Sequence, residues 1–164
     1  MFCKSQYARK AQYNIAVLST LFAVFLFTVK TKNKLGSILL GSYFFMMAID
    51  FSAYIRIDMP LTLVMLRNDI VSMTSRPLIY LYVLSVIYSD FKLRKKHLLH
   101  ISWVALTMII MFPLYIGDWD TQINFLKNYL GDSVGVFLMP FSIFHTQFYL
   151  ILIFVTLYLS LIHI

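Results

Sequence analysis

Long apolar runs separated by short polar breaks dominate this chain. A bilayer core about 30 Å thick needs roughly 20 apolar residues at about 1.5 Å rise each. Residues 13–29 are an uncharged run of that kind, and residues 35–54 form a second whose one charge is Asp50. Residues 98–116 form an uncharged run that contains Pro113, and residues 136–162 form another. The stretch 69–88 has the length but is interrupted by Arg76-Pro77. Proline removes a backbone donor and crowds the preceding turn, so helix kinks are expected at Pro77 and Pro113. The expected fold is therefore all-α, a polytopic membrane helix bundle of about five transmembrane helices forming one domain over 1–164.

Two shorter segments complete the pattern. Ile57 to Met65 is apolar but broken by Pro60. It reads either as an interfacial or re-entrant piece or as an early start of the third helix. In the polar connection 117–135, Ile123, Leu126, Tyr129 and Leu130 recur at helical spacing. Asp120 is the expected N-cap and Gly131 the expected stop of a short amphipathic helix on the membrane face.

Composition agrees with a lipid solvent. The chain is 60% hydrophobic and 13% charged, whereas soluble domains run near 45–50% and about 25%. Its 164 residues carry a net charge of +7 and no Glu. The cations sit at the ends of apolar runs: Lys4, Arg9 and Lys10, then Lys30, Lys32 and Lys34, then the loop Lys92, Arg94, Lys95 and Lys96. That is the placement of Lys and Arg that hold helix ends on the cytoplasmic side. It argues for membrane topology over nucleic-acid binding by this segment. With the N-terminus outside, the 30–34 and 92–96 loops and the C-terminus are cytoplasmic; the N-terminal trio would then have to cross. The first run ends in Val29-Lys30-Thr31-Lys32 rather than at a small-residue cleavage site, so it reads as a retained span. Cys3 is the sole cysteine and forms no internal disulfide.

The segment from Arg76 to Val104 reads RPLIYLYVLSVIYSDFKLRKKHLLHISWV. Its Pro-Leu-x-Tyr-Leu-Tyr-x-x-Ser run, its Asp-Phe-Lys-Leu basic turn and its Lys-His-Leu-Leu-His run resemble the N-terminal membrane region of bacterial AraC-type transcriptional regulators. Asn33 to Ala48 looks like that family's first basic loop and second span, and Gln147 with Tyr149 is similar to its fifth. Arg76 stands where the family pattern has Gly, and the proline expected soon after the second His is absent. The resemblance implies further spans and a cytoplasmic helix-turn-helix domain beyond Ile164, so the chain is expected to be a fragment or a truncated product. It also implies a bacterial cytoplasmic membrane.

Ionisable groups inside a membrane are costly and point to function. Asp50, Arg76 and His145 are such groups, lying about 23, 18 and 26 Å from the inner ends of their helices at about 1.5 Å per residue. They are expected to form a polar cluster that senses a ligand or membrane state; the plainer alternative is an Asp50–Arg76 ion pair that fixes helix register. His97 and His100 have a spacing that metal ligands use, but no acid or thiol lies nearby to complete a site, so no metal or cofactor is expected. The basic loop 92–96 has the chemistry to bind anionic headgroups, and Trp119 and the tyrosines 80, 82 and 88 read as interfacial or lipid-facing. No phosphate loop, nucleophile elbow or zinc-protease motif occurs, and an enzyme is not expected.

The expected function is a membrane sensor and signal-transduction module whose output domain is absent, partnered by the bilayer, by a membrane or cytoplasmic signalling protein, and by a second copy in a homodimer. The alternatives are a small transporter or channel subunit and the membrane domain of a histidine kinase.

Overall fold

A computed structural model describes residues 2–52, 61–131 and 133–162. Over them the chain folds into α1 (Phe2–Thr28), α2 (Lys34–Ser52), α3 (Leu61–Ile87), α4 (Leu99–Ile110), α5 (Phe112–Ile116), α6 (Trp119–Gly131) and α7 (Ser133–Ile162), with a 3₁₀ turn at Lys95–Leu98 before α4. No strand occurs among the described residues.

The distribution of side chains is the reverse of a water-soluble bundle. Ile109, Phe144 and Phe154 are more than 70% exposed, with many other large apolar groups beside them. The buried positions are instead rich in small or hydroxyl residues: Ala16, Ser19, Ala23, Ala48, Ser75 and Ser85. In hydrocarbon, large apolar groups gain nothing by turning inward, and helices associate through small residues that let backbones approach. Among the described residues, four helices are long and apolar enough to cross a membrane, over Lys10–Thr28, Lys34–Ser52, Leu66–Ile87 and Ile143–Ile162. The described residues thus form an all-helical bundle with four candidate spans.

The expected fourth span over 98–116 is two helices rather than one. α4 ends at Ile110, Met111 forms a turn, and α5 starts at Phe112. Pro113 has no N–H for the carbonyl four residues back, so one helix stops and a new one starts with proline in its first turn, where the missing donor costs nothing. Around Pro77 the outcome differs: α3 runs continuously from Leu61 to Ile87. The Arg76 guanidinium donates to the Ser72 carbonyl one turn back. The carbonyl that Pro77 itself leaves without a backbone donor is that of Met73, four residues back.

The early-start reading of the third helix holds from Leu61 onward; Ile57 to Pro60 lie outside the described residues. The amphipathic helix in the polar connection is α6, but its cap is Asp118 rather than Asp120. The Asp118 carboxylate accepts from the Thr121 N–H at 3.1 Å, and its carbonyl accepts from the Gln122 N–H at 2.9 Å. Hydrogen bonding from Thr121, through its side chain first and its backbone N–H second, lowers the pKa of the exposed Asp118 carboxyl from its ordinary value. Two aspartates two residues apart fit the same cap pattern, and the sequence does not rank them.

Helix α3 is central. It packs against α2, α4, α5 and α7, while α1 packs on α2 and α6 on α5 and α7. At one end of the bundle Asn33 ties α2 to α3. Its side chain accepts from the Gly36 N–H at 2.8 Å, capping α2, and donates to the Ser85 carbonyl of α3 at 2.7 Å. Lys34 donates to the Phe27 carbonyl at 2.6 Å, closing the C-terminus of α1. A cation there also complements the negative end of the helix dipole.

Candidate functional site

Between α3, α4 and α7 lies a cluster of histidine and tyrosine rings. α7 supplies His145 and Tyr149, one turn apart and on one face. Both are buried, at 4% and 1% exposure. α4 supplies His100 from its first turn and Trp103 from its second, and α3 supplies Tyr80. The His100 Nδ1 and the Tyr149 hydroxyl share a hydrogen bond. Tyr80 packs at 5.7 Å from the His100 ring and 5.9 Å from the Tyr149 ring. His145 meets Tyr149 edge-on at 4.8 Å and faces Trp103 at 6.4 Å.

These rings do more than fill space. α3 packs closely on both α4 and α7, but α4 and α7 make no close backbone approach to each other among the described residues. Their connection runs through side chains, with His100–Tyr149 and Trp103–His145 as the bridges. Both ring nitrogens of His145 are buried without a hydrogen-bond partner. An unmet buried polar group costs on the order of 1–3 kcal/mol, so this imidazole is the least satisfied element of the cluster.

Of the three polar groups read from the sequence, Arg76 lies within electrostatic reach of the other two without touching either. Its guanidinium interacts electrostatically with Asp50 and Tyr43 of α2 and with His145 of α7. Its direct hydrogen bond goes to Ser72 of its own helix, and no Asp50–Arg76 ion pair forms among the described residues. His145 sits level with Trp103, near the start of α4 and the basic loop. That is closer to the loop than the length of α7 suggests, because α7 continues well past Tyr149 to Ile162.

The partners of His145 lie outside the polar set read from sequence. His100 reads there only as half of an incomplete metal-ligand spacing and Tyr80 as an interfacial or lipid-facing ring. The available signal was the four-residue spacing of His145 and Tyr149, which puts two hydrogen-bonding rings on one face of an otherwise apolar helix.

His97 belongs to the adjoining loop. Its Nδ1 accepts from the Arg94 N–H at 2.9 Å, which fixes the neutral ring with its proton on Nε2. It stacks on Phe91 at 5.2 Å and lies nearly parallel to His100 at 6.4 Å. Desolvation lowers its pKa from the ordinary value, helped by the nearby charges of Lys96 and Arg94. No group of three or more His, Cys, Asp or Glu side chains that could hold a metal ion occurs among the described residues.

At the far end of α4–α5, the Tyr115 hydroxyl of α5 donates to the Asp69 carboxylate of α3 at 2.7 Å. Tyr80 and Asp69 are about 16 Å apart along α3 at the rise of an α-helix. The broken α4–α5 pair is therefore pinned to α3 near both of its ends. No family model, curated protein or solved structure matches the chain.

Proposed function

We propose that this chain is a multi-pass sensor and signal-transducing membrane module, of the kind that forms the membrane half of AraC-type regulators, lying in a bacterial cytoplasmic membrane with its basic loops and C-terminus inside. The observation that carries the reading is the ring-bridged α4–α7 contact, with a buried and unpartnered His145 beside the His100–Tyr149 hydrogen bond.

A sensor needs an element with two arrangements of similar free energy, and a stimulus that favours one of them. Closely packed backbones resist such a change, whereas rings that span a gap re-pack with rotamer changes. His145 has hydrogen-bonding capacity that the present arrangement leaves unused. A proton, a polar ligand or a shifted Arg76 side chain that engages it would favour a different α4–α7 spacing. α7 ends at the C-terminal side of the bundle, so movement of α7 against α3 is the output available to a downstream partner.

The test is a distance measurement between spin labels at two lipid-facing positions, Ile109→Cys on α4 and Phe154→Cys on α7, in a Cys3→Ser background in liposomes. The sensor reading expects two distance populations whose ratio changes with pH or lipid composition, and a changed ratio in Tyr149→Phe. One narrow population, unaltered by every condition and by Tyr149→Phe, rules the switch out. Selective solute flux through the same liposomes would favour a transporter or channel subunit.

A further inference from the structure

Two cavities, one apolar and one mixed with several charged side chains, meet beneath the loop that joins α3 to α4. One, of about 400 Å³, is apolar and lies inside the bundle, lined by Leu39 of α2, by Pro77, Leu78 and Leu81 of α3, and by Val104 of α4. The other, of about 530 Å³, opens at the bundle's end and is mixed, lined by Asp90, Lys92, Arg94 and Lys96 together with Leu84 and Phe91. Arg94, His97 and His100 line both. Each volume falls in the range of roughly 300–1,000 Å³ typical of small-molecule sites.

The geometry points to a binding site for one anionic phospholipid, its phosphate in the basic cavity and one acyl chain in the apolar cavity. Charge sets the sign of the headgroup. Three cations line the outer cavity against one carboxylate, that of Asp90. Lys92, Arg94 and Lys96 are all exposed, and none has a carboxylate partner among the described residues. Arg94 offers a planar fork of donors that matches phosphate oxygens. The Nε2–H of the neutral His97 ring adds a donor, because its Nδ1 is already engaged by the Arg94 N–H.

Shape sets the rest of the molecule. A free phosphate would use only the outer cavity, and a neutral hydrocarbon only the inner one. An amphiphile with an anionic head and a flexible chain uses both and crosses the partition at His97 and His100. The position fits as well. The loop sits at the end of α3 where a span leaves the bilayer, which is the depth at which lipid phosphates lie. Basic pockets between spans on that side are recurrent headgroup sites. This assignment needs the chain to lie in a bilayer but does not need it to signal.

The experiment is native mass spectrometry of the delipidated chain in detergent, titrated separately with phosphatidylglycerol, with phosphatidylcholine of the same acyl chains, with glycerol phosphate and with inorganic phosphate. One retained phosphatidylglycerol per chain is expected, with markedly weaker retention of phosphatidylcholine. Each cation removed near a membrane surface weakens attraction of an anionic lipid by roughly fivefold. Arg94→Gln and Lys96→Gln, both solvent-facing changes, are therefore expected to lose about that factor each. Val104→Phe narrows the inner cavity and is expected to lower phosphatidylglycerol retention while leaving glycerol phosphate unchanged.

Equal retention of both lipids overturns the charge assignment, and binding of inorganic or glycerol phosphate as tight as that of the lipid overturns the acyl-chain assignment. Unchanged lipid binding in the Arg94→Gln/Lys96→Gln double variant overturns the site itself. Helical content by circular dichroism accompanies each variant. If Val104→Phe loses its fold, competition by glycerol phosphate against the lipid decides the acyl-chain question alone.

Discussion

Tyr149 of α7 and His100 of α4 are hydrogen-bonded across two helices whose backbones do not otherwise meet closely. The bond is sheltered, since Tyr149 is almost wholly buried, and its partner lies on the first turn after the basic loop. A contact of this kind registers one helix against another. Hydrogen bonds between membrane helices average about 0.6 kcal/mol and reach about 1.7 kcal/mol.

Tyr149→Phe keeps the ring and removes the hydroxyl, so packing is preserved and the bond is lost. The expected loss is about 1 kcal/mol of stability, read as a lower midpoint of unfolding in detergent. His100→Gln combined with Tyr149→Phe is expected to cost less than the two single losses added together. Full additivity would show that the two side chains are not coupled.

Asn33 is the second such tie, and Gly36 is part of it. A Cβ at Gly36 would lie 2.7 Å from the Asn33 Nδ2 and 2.9 Å from the Ser85 Oγ. Asn33 cannot give way without losing its bonds to Ser85 and Gly36. Loss of an N-cap costs about 0.5–2 kcal/mol. Asn33→Ala and Gly36→Ala are each expected to fall in that range, and the double variant is expected to be little worse than either, because both break the same contact. A double variant that loses the sum, measured by thermal unfolding, would falsify the shared origin.

Much of the fold was legible in the hydrophobic pattern. The runs at 13–29, 35–54 and 136–162 overlap α1, α2 and α7, because span length against bilayer thickness is a one-dimensional property. The two prolines were harder to read. Pro113 separates α4 from α5, whereas α3 runs through Pro77, and a proline alone does not announce which of the two outcomes follows. The polar groups Asp50, Arg76 and His145 stood out because charge is rare in an apolar run. Their neighbours did not, since Tyr80, His100 and Tyr149 are unremarkable as residue types and become a cluster only when α4 and α7 are brought against α3.

Tyr115 and Asp69 make the corresponding prediction at the other end of the α4–α5 pair. Tyr115→Phe removes the hydroxyl that donates to the half-buried Asp69 carboxylate at 2.7 Å. A hydrogen bond to a charged group contributes roughly 1.5–3 kcal/mol. The variant is expected to lose more stability than Tyr149→Phe. It is also expected to raise hydrogen exchange in α5, a helix of only five residues. Unchanged exchange in 112–116 would mean that α5 is held by other contacts.

The loop around His97 should respond to acid. Its imidazole must stay neutral to accept the Arg94 N–H, and desolvation with the charges of Lys96 and Arg94 lowers its pKa below the ordinary 6.5. A histidine whose folded value is depressed takes up its proton more readily in the unfolded segment. Its contribution is therefore complete above about pH 6.5 and declines as pH falls from there toward the folded value. Phe91, Arg94, Lys96 and His100 surround it, and only His100 shares its titration range. Protection of the amides across 94–100, with the intrinsic pH dependence of exchange divided out, is expected to be constant above neutrality and to fall on acidification. His97→Asn retains an acceptor that does not titrate, so most of the acid response should vanish in that variant. A response that survives His97→Asn intact but disappears in His100→Gln would transfer the effect to the neighbouring ring.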